Sequence, residues 1–392
     1  MLNKRKIAYA VMATGLSMTT GSFIYLLNTD KFDEEYVMMD TRGIEYTATG
    51  AKEYGEVKSL NLDYNLAVIK TNKAKVLAYG AFSDSSIIIE PNYKYKAIAG
   101  CSLPPPSTTE PNPCPTDPTK PPPTNPNPGT QREDWGRVKI NASKAWSVTN
   151  GASIKVCVAD TGIDRTHPDL RMVSGKSFVG GDIQDAFGHG SHVAGIISAI
   201  NNSHGIVGAS QAQLYIAKVL GDQGQGDLNA IASGIQWCIQ QKVDFINMSL
   251  GGDQYSQILD YWTMQAVNAG IVVVAAAGNN GGQTGYPAAL RQVISIGATN
   301  QQNMLARFSS RTKVNFCAPG ENTLSTVPMS GCQICNGSPE QGLGIMSGTS
   351  MAAPYATAVL ALAKAAGKQV AFQQGDQMCG AGVIDAAKSV GL

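Results

Sequence analysis

From Gln131 to the C-terminus, short apolar runs alternate with stretches whose apolar residues recur three and four apart. The runs Ser153–Val158, Leu214–Leu220, Phe245–Met248, Ile271–Ala275 and Val293–Ile296 predict buried strands. The periodic stretches His189–Ile200, Leu228–Gln241, Ser256–Ala269 and Thr349–Ala366 predict helices. Strands alternating with helices predict βαβ units, and hence an α/β fold with a mainly parallel sheet covered on both faces. In such folds, functional groups gather at the carboxyl ends of strands and at helix starts.

Upstream the texture differs. Tyr36–Met39, Val57–Thr71 and Ile87–Tyr95 alternate β-branched and aromatic residues with polar ones and predict strands, with one short helix at Ala74–Tyr79. Of the 19 prolines, 12 fall between Pro104 and Pro128. Proline lacks the N–H donor and fixes φ, so residues 101–130 predict an extended spacer. At the front, Lys4, Arg5 and Lys6 precede an apolar run from Ile7 to Met18 and then Thr19, Thr20, Gly21 and Ser22. This is the order of an export signal; extended through Leu27, it would instead be an uncleaved anchor. Residues 1–27 are thus read as signal or anchor, 31–100 as a separate small domain, 101–130 as linker and 131–392 as the main domain. A secreted or cell-envelope location follows, with membrane contact only if the first segment is retained.

Composition narrows the class. Hydrophobic residues make up 43% and charged residues 15%, so the chain can bury a large core and is not disordered as a whole. A net charge of +1 lacks the basic excess of a general nucleic-acid binder. Eight cysteines in an exported chain imply disulfides whose pairing is not readable. Cys101 and Cys114 in the linker are expected to pair with each other, and Cys157, inside a buried strand, to remain a free thiol.

Four positions carry candidate chemistry. Asp160 ends an apolar strand and precedes Thr161-Gly162; it is a turn former or an acid at the active edge. His189 opens a helix within Phe187-Gly-His-Gly-Ser-His192-Val-Ala-Gly195. His189 and His192 stand three apart without the Glu of a His-Glu-x-x-His zinc site, so His192 is read as a local packing residue. Ser350 begins the helix Thr349–Ala366, near the free N–H groups of its first turn; it is an N-cap or a nucleophile. Pro354 is read as part of that first turn. Asn279 follows Ala275-Ala-Ala-Gly278, where it is a turn residue or an amide donor.

Together, in the order Asp, His, Ser, these positions resemble the subtilisin-like serine proteases. Val-Ala-Asp160-Thr-Gly-Ile-Asp, Gly-His189-Gly-Ser-His-Val-Ala-Gly, Ala-Ala-Gly-Asn279 and Gly-Thr-Ser350-Met-Ala-Ala-Pro are similar to that family's four signatures. The resemblance covers about Gln131 to Leu392. It implies a three-layer α/β/α fold with a mostly parallel sheet, preceded here by a small α+β propeptide-like domain. It also implies endopeptidase activity, with Ser350 as nucleophile, His189 as base, Asp160 as its orienting acid and Asn279 in the oxyanion hole, and no catalytic metal.

The same resemblance implies a groove in which Ser249-Leu250-Gly251 and Gly224-Gln225-Gly226 flank an extended peptide, with Gly278 and Gly285 beside the pocket. No acid stands among these positions, so apolar or aromatic residues are expected before the cut. Tyr286-Pro287 resembles the family's cis-proline turn. Ile89–Tyr95 resembles the last strand of an inhibitory propeptide, making the chain's own residues 31–100 an expected partner besides protein substrates. The segment between Ser325 and Ser350, with Cys332 and Cys335, departs from the simplest members and is expected to restrict substrates. Finally, the resemblance implies structural calcium, held by Gln131, Asp169, the Asn202 side chain and the carbonyls of Ile200, His204 and Ile206. A limited-specificity processing protease, or a non-catalytic binding protein on a protease scaffold, are the competing readings.

Overall fold

The computed structural model describes residues 34–41, 52, 55–71, 86–98, 131–332, 334–335 and 341–392. The expected export segment, the helix at Ala74–Tyr79 and the linker with Cys101 and Cys114 lie outside them. The chain forms two compact units, Met1–Pro91 and Asn92–Leu392.

In the first unit, β1 (Glu34–Asp40), β2 (Glu56–Asn61), β3 (Leu66–Thr71) and β4 (Ile87–Pro91) form an antiparallel sheet in the order β2-β3-β1-β4. Tyr36, Met38, Ala67 and Ile69 form its buried cluster. The single strand expected over Val57–Thr71 is a hairpin. Its turn uses Leu62–Tyr64 and Asn65, the latter at φ 51°. Asn and Asp tolerate such turns, and an unbroken reading of the apolar alternation passed over them. The expected strand Ile87–Tyr95 also divides, at Pro91, which has no N–H to continue a ladder.

The second unit contains β5 (Lys94–Ala97), α1 (Trp135–Lys139), α2 (Ala142–Ala145), β6 (Lys155–Asp160), β7 (Ser174–Ser177), α3 (His189–Ser198), β8 (Gln213–Lys218), β9 (Gln225–Asp227) and α4 (Leu228–Gln240). It continues with β10 (Phe245–Met248), β11 (Leu250–Gly251), α5 (Gln257–Asn268), β12 (Val272–Ala276), β13 (Ile294–Thr299), β14 (Phe316–Pro319) and β15 (Thr323–Thr326). The last elements are β16 (Leu343–Met346), α6 (Thr349–Ala365), β17 (Ala371–Gln373), β18 (Val383–Asp385) and α7 (Ala386–Ser389). The main sheet runs β17-β18-β14-β13-β12-β10-β6-β8-β7, parallel throughout except for β17 against β18. This is an α/β fold with a three-layer arrangement.

Strand β6 shows how both faces are covered. Val156 and Val158 join the core beneath α3 and α6. Cys157, between them, points the opposite way because side chains alternate along a strand. There it is bonded to Cys238 on α4, which corrects the expected free thiol. Cys317–Cys379 and Cys332–Cys335 are the other bridges, and no described cysteine is free. Strands β14 to β18 are three or four residues long and were too short to register as periodic segments.

Candidate active site

Asp160 sits at the carboxyl end of β6 and is 0% exposed. Its Oδ1 accepts from Thr161 N at 2.7 Å and lies 2.7 Å from Nδ1 of His189, also 0% exposed. A carboxylate oxygen only accepts, so the neutral imidazole carries its proton on Nδ1 and offers a lone pair at Nε2. The preceding loop is fastened by Asp185. Its Oδ1 accepts from Phe187 N (3.0 Å), Gly188 N (2.8 Å) and Thr161 Oγ1 (2.9 Å), and its Oδ2 from Ser191 N (2.8 Å) and Ser191 Oγ (2.7 Å). Two of these donors belong to the start of α3, where an acid is favoured by free N–H groups. Gly162, at φ 108°, lets the chains meet: a Cβ there would stand 2.3 Å from Ile183 O.

Ser350 is the second residue of α6. Its hydroxyl donates to Ser249 O at 2.8 Å rather than to His189. Pro354 lies in the helix interior, beyond the first turn in which it was expected. Lacking an N–H, it leaves the Ser350 carbonyl without its i+4 donor, and Ser249 Oγ supplies the bond at 2.8 Å. Asn279 follows β12. Its Oδ1 accepts from Thr349 N (2.9 Å) and Thr349 Oγ1 (3.0 Å), which turns Nδ2 the other way. That Nδ2 donates to Ile98 O at 3.0 Å.

Ile98 follows β5, the central strand of a three-stranded sheet ordered β11-β5-β9. Leu250 and Gly251 face Ala97 and Lys96 on one side. Gly226 and Gln225 face Tyr95 and Lys96 on the other. Ala97 N donates to Gly224 O at 2.9 Å and Ile98 N to Ser249 O at 3.3 Å. A Cβ on Gly251 would lie 2.6 Å from Ile98 Cδ1, so the missing side chain makes room for this isoleucine. Gly278 and Gly285 adjoin each other behind Asn279, and the Tyr286–Pro287 bond is cis.

The arrangement has relatives. The Subtilase family profile matches residues 151–379. The chain belongs to the subtilase family. It is 42% identical to "Intracellular serine protease" of Paenibacillus polymyxa over 57% of this chain and 71% of that protein. It is 44% identical to "Subtilisin E" of Bacillus subtilis strain 168 over 54% of this chain and 55% of that one. With "Subtilisin Savinase" of Lederbergia lenta the identity is 41%, over 60% of this chain and 85% of the relative. The matched part thus spans little more than half the length of some of these relatives.

In this subtilase His192 is tied to backbone carbonyls. Its Nε2 donates to Thr323 O and Gly344 O, both at 3.1 Å. Burial, with His189 nearby, pushes its pKa down to about 3 from an ordinary 6.5. The unfolded chain therefore takes up this proton first. Stability present above pH 6.5 is lost as pH falls below it, toward about 3. Between pH 7 and 4.5 the native protein should lose about 2–3 kcal/mol more than His192→Gln, which cannot titrate. Urea unfolding of inhibited protein measures this, and equal losses would count against it.

The residues proposed for calcium meet around the Gln131 amide. Its Nε2 lies 2.5 Å from Ile200 O, 3.1 Å from Ile206 O and 3.5 Å from Asn202 Oδ1. Asp169 accepts from Asn202 Nδ2 on one oxygen and from Ile206 N on the other, both at 3.0 Å. Three oxygens around one point, beside a carboxylate, form an all-oxygen donor set that fits Ca²⁺, with the Gln131 amide turned to present Oε1. His204 enters through its N–H, which donates to Asn202 Oδ1 at 2.9 Å. No group of three or more His, Cys, Asp or Glu suited to a metal occurs among the described residues.

Sequence reasoning missed Asp185, Thr349 and the Ser249 hydroxyl. Each acts by aiming a neighbour. For Asp185 and Thr349 the local signal was a capping-type residue just before or at a helix start; Ser249, between β10 and β11, carried no such signal.

Proposed function

We propose that this subtilase is an exported serine endopeptidase made as a zymogen, which cuts its own chain between Ile98 and Ala99. The observation that carries the reading is the Ile98 carbonyl, held 3.0 Å from Asn279 Nδ2 by a strand paired on both edges. Added-strand pairing is how a protein holds an extended peptide without reading every side chain.

The chemistry follows from the positions. Ser350 Oγ swings from Ser249 to His189 and adds to the Ile98 carbonyl carbon. Its proton passes to His189 Nε2 as the C–O bond forms. Asp160 keeps the ring oriented and offsets its charge. Asn279 Nδ2 and the free N–H of the first helical turn stabilise the oxyanion. Collapse breaks the C–N bond, and His189 gives the proton to the Ala99 amine. Water then releases the acyl group by the same steps. The first product keeps its seat between β9 and β11 and acts as an inhibitor. Casein hydrolysis and mass mapping of the new N-terminus, for the native chain and Ser350→Ala, test the reading.

Apolar Ile98 over Gly251 supports an apolar preference before the cut. Narrowed specificity has one supporting observation: Cys332 Sγ would lie 3.3 Å from a Cβ on Gly188, the residue before His189. The disulfides suit an oxidising compartment, in agreement with the export-like N-terminus.

Calcium, when bound, would supply the positive charge that joins Gln131, Asp169, Asn202 and the carbonyls of Ile200 and Ile206. It would thereby tie the start of the domain to the loop after α3. At a thousand times its Kd it would stabilise the protein by about 4 kcal/mol. A chelator should lower the melting temperature of inhibited protein by several degrees. Asp169→Ala should melt low with or without calcium. A native melting temperature unmoved by the chelator would remove the ion from this account.

A further inference from the structure

The hairpin of β15 and β16 carries the bridge Cys332–Cys335 between its strands. The stem of this connection is held by hydrogen bonds. Val327 N donates to Gly342 O at 2.8 Å, Met329 N to Asp164 Oδ2 at 2.8 Å, and Gln341 Nε2 to Met329 O at 3.0 Å. His167 accepts from Asp169 N on Nδ1, so its Nε2 carries the proton and donates to Gly342 O at 2.8 Å. Beyond the stem the support changes. Cys332, Ile334 and Cys335 make no hydrogen bond to another described residue; the bridge and packing on the main core hold them.

The two sulfurs have different seats. A Cβ on Gly188, the residue before His189, would stand 3.3 Å from Cys332 Sγ. A Cβ on Gly344 would overlap Cys335 Sγ. Gly344 lies on β16, which leads into Ser347-Gly-Thr-Ser350. One sulfur thus rests on the backbone next to the base, the other on the strand that leads to the nucleophile. The peptide path approaches the first seat. Gly224 O accepts from Ala97 N, and a Cβ on Gly224 would stand 2.6 Å from the Phe187 ring. Phe187, Gly188 and Cys332 therefore continue the cleft wall from the residues before the cut towards those after it.

This bridge is also the reducible one. Cys157, Cys238, Cys317 and Cys379 are all 0% exposed, whereas Cys332 and Cys335 are partly exposed. Thiol–disulfide exchange needs access to sulfur. The bridge spans a sequence separation of 3, against 81 and 62 for the others, so it constrains the unfolded chain least.

We propose that the Cys332–Cys335 bridge is a redox-controlled wall for the residue after the cut. Closed, it admits small side chains there, as in the chain's own Ala99-Gly100. Opened by a dithiol, it frees Cys332 from its seat on Gly188 and admits large ones. A thiolate of the dithiol attacks one cysteine sulfur, the S–S bond breaks, and the other sulfur leaves as thiolate and takes a proton. The second thiol of the reductant then displaces the cysteine bonded to the first. Two electrons pass from the dithiol, which becomes a disulfide, and both cysteines end as thiols. The proposal rests on the endopeptidase reading and adds a regulated specificity to it.

The test uses purified, processed protein with calcium held constant, and two peptides. Both carry Tyr93–Ile98 before the cut; one has Ala after it and the other Phe. The ratio of their kcat/KM values is read, so that a general loss of activity cancels. Oxidised enzyme should prefer the Ala peptide by about tenfold or more. Dithiothreitol should bring the preference to about threefold or less, and reoxidation should restore it. Alkylation with mass mapping should then mark Cys332 and Cys335 alone. Cys332→Ser/Cys335→Ser should show the low ratio without reductant and be unmoved by dithiothreitol. If that variant does not fold, reversible reduction of the native protein decides alone. The proposal is overturned if oxidised enzyme has no preference for Ala, or if dithiothreitol leaves the ratio unmoved. It is likewise overturned if a buried bridge is alkylated first, or if the folded double variant keeps the native preference. Cleavage of neither peptide in either state overturns the endopeptidase reading, and this proposal with it. Cleavage after Ile98 at an unmoved ratio overturns this proposal alone.

Discussion

Ser350→Ala is expected to leave a chain that remains continuous through Ile98–Ala99 and hydrolyses casein slower by about 10⁶, the loss known for the nucleophile of a subtilisin. The reason is local. Ser350 is the hydroxyl held at the start of α6 beside Ser249, and its replacement removes the oxygen proposed to add to the Ile98 carbonyl. The fold should persist, because the lost bond is to a carbonyl that borders the cleft. Intact mass and N-terminal mapping give the first readout, and initial rates on casein give the second. A Ser350→Ala protein that, expressed alone, accumulates with Ala99 at its N-terminus would show that another protease makes the cut and would sink self-processing. Casein turnover that survives the change at the native rate would sink the nucleophile assignment as well.

Asn279→Ala is expected to lower kcat by about 10²–10³ with little change in KM, a size taken over from the oxyanion asparagine of a subtilisin. The amide is one donor to a negative charge that exists only in the transition state, so its loss is felt in kcat. Thr349 complicates the Ala variant, since both its N–H and hydroxyl rest on Asn279 Oδ1. Asn279→Asp separates the two roles. It keeps an acceptor for Thr349 but replaces the donor with a second, repelling oxygen. Its melting temperature should stay near native while its kcat falls at least as far as that of the Ala variant. A chromogenic peptide ending in an apolar residue before the cut serves for both variants. A KM that rises with kcat preserved would make Asn279 a binding residue instead.

Asp160, His189, Asn279 and Ser350 were each ambiguous alone and became legible as a candidate site only together, in their order along the chain, although each stands in a short run whose neighbours declare its surroundings. Glycines permit close approach around His189, an apolar strand ends at Asp160, and an alanine-rich helix opens after Ser350. The long periodic helices α3 to α6 were readable for a similar reason, since ten or more residues are enough to show a 3.6-residue repeat. Asp185 was not readable. Its five accepted bonds join residues from two loops and a helix, and nothing adjacent to it in the chain reports that convergence. Pro354 was misplaced by one turn, because its use lies in what Ser249 does with the carbonyl it leaves open.

The amino-acid order alone determined the α/β class, the positions of the main strands and helices and the family resemblance, because these depend on periodicity and on residues close together in the chain. Only the tertiary structure decided that Cys157 is bonded to Cys238, since the choice rests on which face of β6 meets α4. It likewise decided that Ile87–Tyr95 breaks at Pro91, so that Lys94–Ala97 lies between β9 and β11. It decided that Lys313 closes a ring of three carbonyls from a segment some twenty residues earlier. In each case the deciding energy is a hydrogen bond, a covalent bridge or a buried charge between segments far apart in sequence. Such terms depend on the distance between segments after folding, which local periodicity does not encode.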